Sequence, residues 1–254
     1  MPSVLPVTTD KNFDAGPGAR GRIGLLVLGR DPVCETECAH ALTREDQTLH
    51  VARIADPRDF TRQSLADLAQ PIAKVADTLL RDDRLDVIAV ACAAAALAIG
   101  RDELSAMLKL GRPNLKVTDP GAAAIAVLRA AGVRRIGLLL TTADSAINQK
   151  TVAAYEAEGF EVARALTLSL ADDRAMSTLS IGSIRQALAE ADDPSADVLL
   201  VPCTAMRTWQ ALPKLHASLL RGRVLTGNQA MMTHAMCLAD GTDLPNSLDQ
   251  LMAG

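Results

Sequence analysis

Two cysteines in this chain end short apolar runs that open on an aspartate: Asp86 to Cys92 (Asp-Val-Ile-Ala-Val-Ala-Cys) and Asp197 to Cys203 (Asp-Val-Leu-Leu-Val-Pro-Cys). Such a run reads as a buried parallel strand that delivers a thiol at its C-terminal end. A thiol beside a helix N-terminus loses its proton more easily, and each cysteine is expected where a strand turns into a helix. Facing each other across a small molecule, the pair would act as two acid/base groups on opposite faces of one carbon. Alternatively, one thiolate would add covalently while the other moves the proton. A free cysteine taken alone is more often simply buried; the same placement twice is what favours chemistry.

The strands that must position these thiols are duplicated as well. Arg22 to Leu28 (Arg-Ile-Gly-Leu-Leu-Val-Leu) is echoed by Arg135 to Thr141 (Arg-Ile-Gly-Leu-Leu-Leu-Thr), with Asp31 and Asp144 in the turns that follow. Two strand pairs at nearly one offset imply two similar halves. The expected fold is α/β, with two parallel-sheet halves related by a pseudo-two-fold axis and the site in the crevice between them, where the C-terminal strand ends meet. The expected organisation is a flexible tail over 1–20, a first half over 21–118 plus 227–254, and a second half over 119–226.

Along the chain, strands are expected at 22–28, 49–54, 86–91, 135–140, 160–166, 197–202 and 223–225. Helical spacing marks 34–42, 64–80, 146–158, 180–190 and 206–220, and a helix from Asp119 and Pro120 is expected to stop at Gly132. Asp172 and Asp173 are placed in a loop, and Thr226-Gly227-Asn228 in a turn before a closing helix to about Ala239.

Composition narrows the function. The 254 residues are 49% hydrophobic but only 2% aromatic, so Ala, Leu and Val must fill the core. A net charge of -4 gives no basic footprint for nucleic acid. The five cysteines form no disulfide framework and no metal-binding spacing. The first 20 residues do not read as a signal peptide, and no apolar run is long enough to cross a bilayer. The expectation is a cytoplasmic protein with no metal and no membrane partner, whose partner is a small carboxylate or amino-acid derivative. Homo-oligomers are common for this architecture, and no feature selects a symmetry.

Other residues carry weaker signals. Thr204 could give its hydroxyl and N–H to a substrate carboxylate, or cap a helix. Asn228 could bind substrate or serve its turn. Asp144 reads as a helix cap, and Asp31 as either a cap or a crevice residue. Cys34 could reach the crevice mouth, although Cys34, Cys38 and Cys237 all fall within helices and read as packing. His40, His50, His216 and His234 are scattered and read as surface or packing residues.

Several motifs together resemble a known family: Asp31-Pro32-Val33-Cys34-Glu35, Ala91-Cys92 leading to Ile99-Gly100, Gly132-Val133-Arg134-Arg135-Ile136, Cys203-Thr204-Ala205-Met206-Arg207-Thr208, and Gly227-Asn228-Gln229-Ala230. From about Arg22 to Ala239 the chain resembles the aspartate/glutamate/hydantoin racemase superfamily. The branch is that of maleate cis-trans isomerases, arylmalonate decarboxylases and the racemase-like proteins of ectoine utilisation. The resemblance implies cofactor-free chemistry beside a carboxylate, with Cys92 and Cys203 reactive and Asp31, Ala93, Thr142, Thr204 and Asn228 around the substrate. Two cysteines are more like the isomerases and racemases than the decarboxylases. The chain departs from the family pattern at Asp31, where Asn is usual, at Ala93 and Ala94, where hydroxyl residues are usual, and near Thr142 and Ala143, where a Tyr is usual; its one Tyr is Tyr155. An acid added and hydroxyls removed imply a substrate less anionic than maleate. Isomerisation of the racemase or epimerase kind is the leading expectation. Cis-trans isomerisation through a Cys92 adduct, decarboxylation, and a binding protein without catalysis are the rivals.

Overall fold

The structure, a computed structural model, describes residues 4–5, 9–56, 59, 61–81, 83–212 and 223–253. Its eight strands form two four-stranded sheets, parallel throughout. The first sheet contains β1 (Gly21–Leu28), β2 (Gln47–Ile54), β3 (Val87–Val90) and β4 (Lys116–Thr118), in the order β2-β1-β3-β4. The second contains β5 (Arg135–Thr142), β6 (Glu161–Leu170), β7 (Val198–Val201) and β8 (Arg223–Thr226), in the order β6-β5-β7-β8. The two orders correspond strand for strand, and the α/β fold has two similar halves as the sequence repeat implied.

The aspartates that open the repeated runs have a structural task. Asp86 accepts a hydrogen bond from the Arg22 N–H at 2.8 Å, and Asp197 accepts from the N–H groups of Arg134 and Arg135, both at 3.0 Å. Each carboxylate thereby pins the start of the adjacent central strand and sets the register of β1 against β3, or of β5 against β7. A strand with one fixed end delivers its other end, and the cysteine there, to a fixed height.

Helices cover both faces of each sheet. A central core joins the halves: inward-facing residues of β1 and β3 (Ile23, Leu25, Val87) and of β5 and β7 (Ile136, Leu138, Leu200) meet through α6 (Pro120–Ala130) and α11 (Gly227–Asp240). Two further clusters lie on the outer faces, one around Leu26, Ile72 and Ile88, the other around Leu139, Ile184 and Leu199. Ala123, Ala124, Ala230 and Ala235 are fully buried in the central core, because only small side chains let two helices pack closely between two sheets. Although α11 follows the second sheet, it packs on β1, β3 and β4 as well as α6, so this helix bolts the halves together.

Several expectations are corrected. The helix expected over 64–80 is two, α2 (Arg62–Ala66) and α3 (Ala69–Ala76). Pro71 lacks the N–H that would reach back to Asp67, so the chain turns there and restarts with Pro71 in a first turn, where no N–H is needed. Asp172 and Asp173 are not loop residues. Asp172 caps α8 (Asp173–Thr178), accepting from the Ala175 N–H at 2.8 Å. Thr226 is the N-cap of α11 in a reciprocal capping box with Gln229, so Gly227 and Asn228 are its first turn. β4 and helix α5 (Arg101–Leu108) were not anticipated, β4 being only three residues long. The helix expected over 206–220 begins only at α10 (Thr208–Ala211), and residues 213–222, with His216, lie outside the described residues. The helix from Asp119 stops as expected, with Gly132 in the left-handed region at φ 74°.

Candidate active site

Between the C-terminal ends of the two sheets lies a small cavity of about 90 Å³. Cys92, Ala93 and Ala94 line it from the first half, and Thr141, Thr142, Pro202, Cys203 and Thr204 from the second. Helix α7 (Ser145–Ala157) adds Asn148 and Thr151, and α8 adds Asp173 and Met176. Both thiols are half-buried and unpaired by disulfide.

Cys92 is the N-cap of α4 (Ala93–Ile99), and its sulfur accepts from the Ala95 N–H at 3.4 Å. Cys203 departs from expectation. Bends follow it, no helix begins before Thr208, and its thiol donates to the Met176 thioether at 3.5 Å. The expected lowering of both pKa values is also overturned. Burial pushes each thiol up to about 12, and the backbone N–H groups near Cys92, or the Thr141 hydroxyl and the Ala205 N–H near Cys203, only partly offset it. Asp173 raises both further, and the Cys203 group raises Cys92. Both are therefore held as neutral thiols by their surroundings, and a positive charge or hydrogen-bond donors beside either would favour its ionisation.

A hydrogen-bonded chain locks the two cysteine-bearing segments together. The Thr204 hydroxyl donates to the Ala91 carbonyl at 3.2 Å, joining the residue after one cysteine to the residue before the other. The Asn228 amide donates to the Thr204 carbonyl at 3.0 Å and to Glu37 on α1 (Cys34–Ala41) at 2.9 Å. Asn228 is fully buried and does not line the cavity. Its expected contact with substrate is therefore replaced by support of the Thr204 segment. Likewise the Thr204 hydroxyl borders the cavity but gives its proton to Ala91. Asp31 is 1% exposed and lies behind the cavity wall, where one oxygen accepts from Val33 and Cys34 N–H groups at 2.8 and 2.9 Å. It holds the turn into α1, whose N-cap is Val33, and its second oxygen has no hydrogen-bond partner. Asp144 caps α7 as expected.

Cys34 does not reach the crevice. It is fully buried with its sulfur 3.7 Å from that of Cys38. Tyr155 packs edge-to-face on Phe160 in the central core, away from the cavity. Where its hydroxyl is absent, Thr141, Thr142, Asn148 and Thr151 supply polar groups. The sequence reading missed Asn148, Thr151, Met176 and Asp173. The first two lie one turn apart on one face of α7, a helical spacing that could have found them; Asp173 was hidden by its assignment to a loop.

Two buried acids bear on pH. Burial, the largest influence on each, pushes Glu37 and Asp173 up to about 7. A carboxyl whose folded pKa is raised stabilises the fold while protonated. That contribution is complete below about pH 4, falls as pH rises, and is gone once pH passes about 7. For Glu37 the change from 4.5 to about 7 corresponds to at most ~3 kcal/mol. Melting temperature should accordingly fall between pH 5 and pH 8, and Glu37→Gln should flatten part of that slope in a calorimetric pH series; an unchanged slope would show that Glu37 is not titrating there.

A duplicated, doubly wound α/β protein with two cysteines converging on an inter-sheet cavity is the architecture of the aspartate/glutamate racemase-like superfamily. Within it, the family model for arylmalonate decarboxylase matches residues 58–252, and the chain belongs to that family. The fold is similar to that of Nocardia farcinica maleate cis-trans isomerase, a Cys-to-Ser mutant with a covalently bound succinylcysteine intermediate: TM-score 0.77, 21% identity, covering 92% of this chain and 99% of that one. Maleate isomerase Iso from Pseudomonas putida S16 gives 0.73 at 21% identity over 84% and 90%, and arylmalonate decarboxylase 0.67 at 18% over 87% and 94%. No curated protein matches the chain.

Proposed function

We propose that the protein is a cofactor-independent isomerase of the racemase or epimerase type, acting on a small carboxylic or amino-acid derivative. In this reading Cys92 and Cys203 are the catalytic pair. One thiolate removes the proton next to the carboxylate, the electron pair is held on the carboxylate as an enediolate, and the opposite thiol returns a proton. The observation that carries the reading is the convergence of two thiols from equivalent strand ends on one cavity. Thr142 and Thr204, with the Ala93 wall, border the substrate. Asp31 and Asn228 act from behind, Asp31 on the start of α1 and Asn228 on the segment that bears Thr204. The same reading takes residues 21–118 with 227–254 as one half and 119–226 as the other, with α11 crossing back onto the first sheet.

Cis-trans isomerisation through a thioether adduct is the second reading, favoured by the succinylcysteine held in the Nocardia farcinica fold. Against it, no Lys, Arg or His lines this cavity among the described residues, while an acid does, which suits a dianion poorly.

Incubation in deuterium oxide separates the two. Enantiopure 2-amino acids, their N-acyl derivatives and maleate would each be offered and followed by mass spectrometry and chiral chromatography. The racemase reading expects deuterium at the alpha carbon with loss of optical purity. Conversion of maleate without exchange would replace it by the adduct reading, and exchange in none of the probes would remove it.

A further inference from the structure

Among the described residues, Asp173 is a buried carboxylate with no partner of its own. It is 6% exposed and lines the cavity, yet no donor among the described residues hydrogen-bonds to it or forms an ion pair with it. The charged groups acting on it are Asp31, Asp56 and Asp172, which oppose its ionisation, and Arg30, which favours it. Arg30 is an exposed side chain already paired with Asp56 at 3.5 Å. An unpaired carboxylate out of water is costly, and a protein keeps one where something else supplies the counter-charge. The remaining polar lining consists of neutral groups: four threonines, one asparagine and the two thiols.

We propose that Asp173 is the specificity-determining residue of the cavity and receives a positively charged nitrogen, so that the substrate is a small carboxylate bearing an ammonium or similar cationic group rather than a dianion. Thr141 and Thr142, which line the same cavity, offer hydroxyl groups to the carboxylate end, whereas the Thr151 hydroxyl is committed to the Ile147 carbonyl at 2.9 Å. This deepens the two-thiol reading and rests on it for the identity of the reacting carbon, but the charge preference is a property of Asp173 alone. It also answers the problem of the neutral thiols. Asp173 raises both of them, so a cation seated on it removes that influence and adds a positive charge beside each sulfur, easing thiolate formation when substrate is bound. Because burial pushes the acid up to about 7, the preference is stronger at pH 8 than at pH 5.5, where the carboxyl takes up its proton.

Calorimetric titration with 4-aminobutyrate and glutarate, which match in length and differ in the charge of one end, tests the proposal. The wild-type protein at pH 8 should bind 4-aminobutyrate at least tenfold more tightly than glutarate. The ratio should shrink at pH 5.5, collapse in Asp173→Asn and persist in Asp173→Glu. Equal binding, preference for glutarate, absence of binding by either probe, or an Asp173→Asn ratio like that of the wild type would overturn it. Should Asp173→Asn fail to fold, the wild-type pH dependence and Asp173→Glu still decide. The titration needs no turnover: a retained ratio in Cys92→Ser together with failed deuterium exchange in the wild type would bring down the two-thiol reading and leave this one standing.

Discussion

Replacing either Cys92 or Cys203 by serine is expected to lower the rate of racemisation by about 10²–10⁴-fold, the range removed when one positioned proton-transfer group is lost, with little change in melting temperature. The hydroxyl is close to isosteric with the thiol but far less acidic, so it fills the space without carrying the proton. The two variants should differ in a diagnostic way. Each thiol addresses one face of the alpha carbon, so each serine variant should still exchange deuterium into the enantiomer whose proton points at the surviving thiol while failing to invert it. Equal residual exchange into both enantiomers by both variants would mean that the thiols do not divide the faces. Full activity in either variant would remove that cysteine from the chemistry. Stability is expected to hold because serine nearly fills the space of each half-buried thiol at the cavity wall, and the neighbours Ala91 and Thr204 remain joined by their hydrogen bond.

The second large effect is expected from Gly227→Ala, a change of one methyl group at a residue that does not line the cavity. A Cβ built on Gly227 would lie 2.6 Å from the Pro202 carbonyl oxygen and 2.9 Å from its carbonyl carbon. These are backbone atoms, so no side chain can swing aside. Either α11 lifts from the end of β7 or Pro202 moves, and Cys203 is bonded directly to Pro202. Overpacking of this kind costs about 1–3 kcal/mol, and a displacement near 1 Å at a reacting group costs ~10²-fold in rate. A lower melting temperature combined with a loss of kcat larger than any change in KM would show that the close approach sets the position of the thiol. Gly182→Ala is the control. There the nearest atom to a new Cβ is the Ser180 hydroxyl at 3.8 Å, within a helix, where alanine is favoured over glycine. If Gly227→Ala behaves like this control, the contact is not needed.

Both expectations depend on how the cysteines are held, and that was only partly legible in the chain. The repeat of aspartate, apolar run and cysteine was readable because a buried parallel strand must be apolar throughout and short, and because duplication writes the same strand twice. The roles of Asp86 and Asp197 could not be read from that periodicity, since a carboxylate reaching a neighbouring strand is a contact across 62–64 residues. Helix boundaries governed by local chemistry fared well: Asp119 with Pro120, and Asp144, cap as their residue types dictate. Where two local signals competed, the outcome was missed. Asp172 and Asp173 look like a polar loop, and only the capping geometry shows that the first ends a turn so that the second faces the cavity.

What the sequence determined by itself is therefore the α/β class, the doubled plan and the delivery of two thiols to strand ends, all consequences of side-chain periodicity and local backbone preference. What the tertiary structure alone decided is the character of the site. Asn228 became a prop rather than a ligand group, Asp31 an acid behind the wall that holds the turn into α1, and Asp173 a carboxylate inside it with no partner among the described residues. The ionisation of the thiols was also set there, raised rather than lowered. Burial and the proximity of charges are sums over residues distant in the chain, and desolvation, the largest influence on every one of these acids and active-site thiols, has no signature in local sequence.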